Sequence, residues 1–171
     1  MVAKTRKIDG LLPTRAQTEE AGYSAEAPEL DATTPLRRRM MQSVRQSGTT
    51  PEMRVRRALF AAGHRYRVNV RGMPGTPDIV LSGRRLAIFV HGCFWHRHEG
   101  CRFATTPQTR TEFWQDKFAR NVARDADKRR LLEDDGWRVV EIWECAVKDG
   151  SFAAPLLKLV TSLPTVARRR R

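Results

Sequence analysis

Acidic residues, cysteines and long apolar runs are all scarce in this 171-residue chain. No stretch of about 18 apolar residues is present, so nothing in the sequence is built to cross a bilayer as a helix. No apolar signal stretch stands near the N-terminus, and the expectation is a cytoplasmic protein with no membrane partner. Cysteines number three, and an odd count without an export signal argues against a disulfide framework. No internal repeat is present. Asp and Glu total only 19 against 32 Lys and Arg, which leaves a net charge of +13. A surplus of that size says little about fold and much about partners. It favours an anionic polymer, DNA or RNA before a membrane surface. The length suits one ordinary domain with a sizeable core.

Residues 1–35 hold four Lys/Arg against six Asp/Glu, contain Pro13, Pro28 and Pro35, and lack apolar periodicity. They read as a disordered leader, so the positive surplus belongs to the folded part, expected over residues 36–163. A basic tail follows over 164–171, ending in Arg168–Arg171. That tail, like Arg37, Arg38, Arg39 and Arg45 before the first helix, suits phosphate contacts. Thr49 or Thr50, Pro51 and Gly63 punctuate a first helix whose apolar positions include Val55, Ala58, Leu59 and Ala62. Tyr66, Val68 and Val70 alternate with polar residues as in a half-buried strand. Asp78–Leu81 and Leu86–Val90 read as two further strands joined by a Ser82-Gly83 turn. A long helix is expected from about Thr111 to Asp135, with Thr109 and Glu112 at capping-box spacing and Gly136 at its end. Arg138–Trp143 forms another strand, and 152–163 an amphipathic helical segment. The order is helix, three strands, helix, strand, helix, which predicts an α/β domain: a mixed sheet flanked by helices.

Two carboxylates stand out. Asp78 follows a Pro-Gly-x-Pro bend and opens a strand, where a carboxylate can hold a divalent cation such as Mg2+; on its own the pair is also an ordinary turn former. Glu52 lies on the apolar face of its helix, three residues before Val55 and seven before Leu59. A core-facing carboxylate needs a partner or a function, although an acid in a first helical turn also suits the dipole.

The densest chemistry is His91-Gly92-Cys93-Phe94-Trp95-His96-Arg97-His98-Glu99-Gly100-Cys101, with three of the four histidines and two of the three cysteines. Cys145 follows the last clear strand. Three cysteines and one histidine make a structural zinc set, with His96 and His98 both eligible as the histidine. A histidine outside that set can act as a general base near neutrality. Phe94 and Trp95, in a loop that would expose them, pack around the zinc or insert between DNA bases.

These residues resemble the very short patch repair (Vsr) endonucleases. The resemblance runs from about Leu36 to Cys145 through Met73-Pro74-Gly75-Thr76-Pro77-Asp78, Ile88 to His96, Arg110-Thr111-Glu112-Phe113-Trp114, Asn121-Val122, Gly136-Trp137-Arg138-Val139 and Ile142-Trp143-Glu144-Cys145. It implies a single domain of the restriction-endonuclease-like fold with a structural zinc. It also implies Mg2+-dependent nicking of one strand beside a T:G mismatch, the product of 5-methylcytosine deamination. By the same resemblance Asp78 and the Val90 backbone carbonyl bind Mg2+, His96 is the general base, and His91 and Glu52 hydrogen-bond the waters around the ion. Cys93, His98, Cys101 and Cys145 hold Zn2+. Phe94, Trp95 and Trp114 wedge into double-stranded DNA beside the mismatch. The chain is expected to act as a monomer, with mismatch-repair proteins as candidate partners. Departures from the family are Val90, where a hydroxyl residue is frequent, and a His98–Cys101 spacing one residue longer than in some members. The lysine of the restriction-endonuclease motif is missing, with Phe89-Val90-His91 in its place. The competing readings are a nuclease of this fold with another DNA substrate and a non-catalytic zinc-dependent DNA-binding module.

Overall fold

The computed structural model describes residue 39 and residues 47–166. The expected leader over 1–35, the run Arg168–Arg171, and Arg37, Arg38 and Arg45 lie outside these residues; Arg39 is exposed. Helix α1 spans Thr50–Ala61. Thr49 caps it, and the capping box is closed by Glu52, whose carboxylate accepts from the Thr49 backbone. Val55 and Leu59 point from α1 into the core and are fully buried.

Strands β1 (Arg67–Val68), β2 (Ile79–Leu81), β3 (Leu86–His91) and β4 (Arg138–Trp143) form one sheet in the order β1-β2-β3-β4. The first two pairings are antiparallel and the β3–β4 pairing is parallel. A parallel neighbour requires a crossover, which helix α2 (Thr111–Asp134) supplies. Two short helices, α3 (Glu144–Asp149) and α4 (Ala153–Ser162), follow β4.

Side-chain alternation along β3 divides the core into two. Leu86 and Ile88 join Ile79 of β2, Ile142 of β4, and Val55, Leu59, Val147, Leu156 and Val160 from α1, α3 and α4 on one face. Ala87 and Phe89 meet Leu132 of α2 and Val139 on the other. The result is the expected mixed sheet with helices on both faces. β3 reads as a continuous apolar run because both its faces are covered.

Three elements depart from expectation. β1 is only two residues long, and Val68 is exposed. Asn69 takes a left-handed conformation (φ 46°), which turns the chain out of the sheet before Val70. No Thr109–Glu112 capping box forms. Arg110 occupies the cap position with φ 54° and no side-chain cap bond, so Thr109 stands one residue too early; Thr111 Oγ1 donates to the Gln108 carbonyl instead. Helix α3 has no signal in the sequence, because six residues give no readable period. Past α4, Val166 donates its N–H to the Gly83 carbonyl at 2.6 Å, so the first residues of the expected tail lie against the β2–β3 turn.

Candidate active site and metal centre

Asp78 sits where the Pro74-Gly75-Thr76-Pro77 bend enters β2, with Pro77 fully buried and Gly75 at φ +72°. Its Oδ2 accepts the Val90 backbone N–H at 2.8 Å. Glu52 is 3 % exposed and accepts from Gly48 N (2.8 Å), Thr49 Oγ1 (2.9 Å) and Arg56 (2.9 Å). Glu52 thus caps its helix, and its charge also reaches Asp78. One Arg56 guanidinium nitrogen reaches both Glu52 and, at 3.5 Å, the Asp78 carbonyl. Burial, with the Glu52 charge adding to it, pushes the Asp78 carboxyl up to about 6, against the lowering effect of the Val90 N–H.

His91 ends β3 and is 6 % exposed. It stacks on His96 with centroids 4.0 Å apart and meets the edge of Trp143 at 5.4 Å. Burial, reinforced by His96, lowers its pKa to about 4, so it is neutral at neutral pH. The Nδ1 of His96 is hydrogen-bonded to Asp125 Oδ2. With a carboxylate acceptor there, Nδ1 is the donor of this bond, which leaves Nε2 directed away from Asp125. Burial alone would raise the Asp125 carboxyl; the hydrogen bond and charge of His96, with Lys128 (3.1 Å), hold it at about 2 instead.

Asp125 is not among the candidate site residues read from the sequence, and its side chain is only 14 % exposed. A signal was present. Trp114, Phe118, Asn121, Asp125, Lys128 and Leu132 recur at intervals of three and four, so all lie on one face of α2. The three polar residues interrupt an apolar stripe whose ends are buried. Asn121 uses the same face to donate to the Trp95 carbonyl at 3.1 Å.

Cys93, His98, Cys101 and Cys145 place their ligand atoms within 4.8 Å of one another. His98 Nδ1 lies 3.3 Å from Cys145 Sγ and 3.8 Å from Cys93 Sγ. Arg97, at φ 55°, reverses the backbone between the two histidines. His98 thus joins the thiols and stacks on Trp143 (4.2 Å), while His96 joins Asp125 and His91. Three thiols and one imidazole nitrogen are the donor set for a closed tetrahedral zinc site. Burial and the other thiols push Cys93 up to about 12. The Phe103 backbone N–H, together with the Cys93 and Cys145 thiols, holds Cys101 below its usual value.

Phe94, Trp95 and Trp114 form one aromatic cluster with Phe118, centroids 5.0–5.9 Å apart. The expectation of loop-exposed Phe94 and Trp95 is corrected: α2 packs against them and leaves both half-buried. Trp114 is 8 % exposed and Phe113, its neighbour, 43 %. Lys117 lies over Trp95 and Trp114 at 5.0 and 5.2 Å.

A family model described as DNA mismatch endonuclease Vsr matches residues 30–102, which include Glu52, Asp78 and the whole His91–Cys101 segment. The type II nicking enzyme V.XorIIP of Xanthomonas oryzae pv. oryzae is 46 % identical over 132 residues, 76 % of this chain and 96 % of that enzyme. The DNA mismatch endonuclease Vsr of Escherichia coli is 41 % identical over 112 residues, 66 % of this chain and 71 % of that protein. Among solved structures, the homing endonuclease I-Bth0305I catalytic domain covers 66 % of this chain and 91 % of its own at 24 % identity, with a TM-score of 0.44.

Proposed function

From the premise that this chain belongs to the Vsr family of DNA endonucleases, we propose that it nicks one strand of duplex DNA beside a thymine–guanine mismatch, by Mg2+-dependent hydrolysis. The observation that carries the chemistry is the pairing of a buried carboxylate, Asp78, with an imidazole base, His96, whose own partner is a carboxylate, Asp125. Binding alone has no need of such a set.

Asp78, with the Val90 backbone carbonyl, would hold Mg2+, and Glu52 and His91 would hydrogen-bond the waters of its shell. The ion, when bound, neutralises charge building on the phosphate. The protein's own part is proton transfer and orientation. His96 Nε2 takes the proton of the attacking water. Asp125 keeps the ring in the required tautomer and stabilises the imidazolium that forms. His91, neutral because it is buried, stacks on that ring without repelling the new charge. In-line displacement leaves a 5′-phosphate and a 3′-hydroxyl.

Cys93, His98, Cys101 and Cys145 would hold a structural Zn2+ that ties the loop after β3 to the start of α3. Phe94, Trp95 and Trp114 would wedge into the duplex, where a weakly stacked mismatch costs less to open than a matched step. Lys117, over two of these rings, suits an adjacent phosphate.

End-labelled duplexes carrying one T:G pair, in varied flanking sequence and with and without Mg2+, test this reading. The expected product is a single Mg2+-dependent nick on the thymine strand, absent from matched duplex. Nicking of matched duplex instead would keep the endonuclease and discard the mismatch.

A further inference from the structure

The reacting groups bring negative charge together: Glu52 acts on Asp78, and Asp125 stands with His96 and a neutral His91. DNA adds a phosphodiester. The cations acting on this cluster are Arg56, beside Asp78, and Lys128 and Arg129, which both lower His91. They are not equally available. Arg56 has a side chain 11 % exposed, committed to Glu52 and the Asp78 carbonyl. Arg129 is held between Glu141 and Glu133. Lys128 is 35 % exposed and, among the described residues, donates once, to Asp125 Oδ1 at 3.1 Å. An ammonium has three N–H donors, so two remain.

Lys128 is also aimed. Asp125 holds it with one oxygen and His96 with the other. Its stem crosses the bend that leads to Asp78, so closely that a Cβ on Gly75 would stand 2.6 Å from Lys128 Cδ. The ammonium therefore sits between the candidate general base and the loop carrying the candidate metal ligand. β3 brings no lysine here, since Phe89-Val90-His91 stand at its end; α2 brings one from the opposite side.

We propose that Lys128 contacts phosphate in the active site, its ammonium binding a non-bridging oxygen of the DNA backbone at the nicked position. This rests on the reading of the chain as a strand-nicking endonuclease. Asp125 then serves two groups at once, fixing the base and the phosphate contact relative to each other. A neutral residue at 128 removes the contact, and arginine keeps a cation there.

Wild type, Lys128→Gln and Lys128→Arg, all zinc-loaded and of matched melting temperature, are compared in two measurements. The first is DNA affinity against salt concentration without Mg2+. Each lost phosphate contact lowers the slope of log K against log salt by about 0.9, so Lys128→Gln is expected to fall by about that amount and Lys128→Arg to match wild type. The second is kcat for nicking with Mg2+, expected to fall at least about tenfold in Lys128→Gln and to recover in Lys128→Arg. A Lys128→Gln slope equal to wild type overturns the phosphate contact. A lowered slope with wild-type kcat overturns its place at the nicked position. If wild type itself nicks no duplex, the strand-nicking reading falls and the active-site placement with it, while the slope still decides whether Lys128 touches phosphate.

Discussion

At the scale of single residues, the site depends on keeping different protonation states a few ångströms apart. His91 is held neutral, Asp125 ionised, and Asp78 protonated up to about pH 6 while no cation is bound. His96→Ala is expected to abolish nicking and leave DNA binding intact, which a gel-shift assay beside a nicking assay reads directly. Asp125→Asn keeps the size of the side chain but removes its charge and permits the wrong tautomer of His96. A loss in kcat of about 10² or more is expected, with DNA affinity nearly unchanged; wild-type kcat would show that Asp125 plays no part. For Asp78 the native pKa is raised, so between 3.8 and about 6 the folded state binds more protons than the unfolded one. Stability of zinc-loaded, magnesium-free protein should therefore fall as pH rises through that window. A divalent ion must displace the same proton, so affinity for Mg2+ or Mn2+ should climb with pH and level off above about 6. Calorimetric titration across that range checks the second point, and Asp78→Asn should remove the pH dependence along with the binding.

At the scale of elements, α2 is the part that the sequence disclosed least completely. Its length is legible in the sequence, but a one-dimensional count cannot say which of its charges share a face with Phe118 and Leu132. Leu132 is fully buried against the sheet. Leu132→Ala should cost about 2–5 kcal/mol, and denaturant unfolding is the measurement. The loss should carry into nicking activity only where unfolding begins, since Asp125 and Lys128 lie two and one turns upstream. The Cys93–Cys101 loop has no regular secondary structure and few buried apolar side chains of its own. Its order is expected to come from zinc. Chelation should lower the melting temperature and release one zinc per chain; an unchanged melt in metal-free protein would leave the four residues as packed thiols and an imidazole. The short β1 and the uncapped start of α2 have one local cause, a non-glycine residue in the left-handed region at Asn69 and at Arg110. Propensity counts do not see such a turn.

At the scale of the whole molecule, the charge of +13 fits an enzyme that acts on DNA, and affinity should drop steeply with salt as counterions are released. Composition and pattern were sufficient for much of this protein. The apolar run of β3, the 3.6-residue period of α1 and the turn residues between strands specified a mixed sheet flanked by helices, since each follows from burial of neighbouring side chains along the chain. The clustering of histidine and cysteine residues is likewise local, and it is one of the several short segments that carry the family resemblance. Tertiary structure decided what depends on residues far apart in sequence. It separated His98 from His96, through a backbone reversal at Arg97 that spacing cannot reveal. It also turned Asp125 and Lys128 inward, because the face α2 presents to the sheet is set by where Trp114, Phe118 and Leu132 find a core to enter.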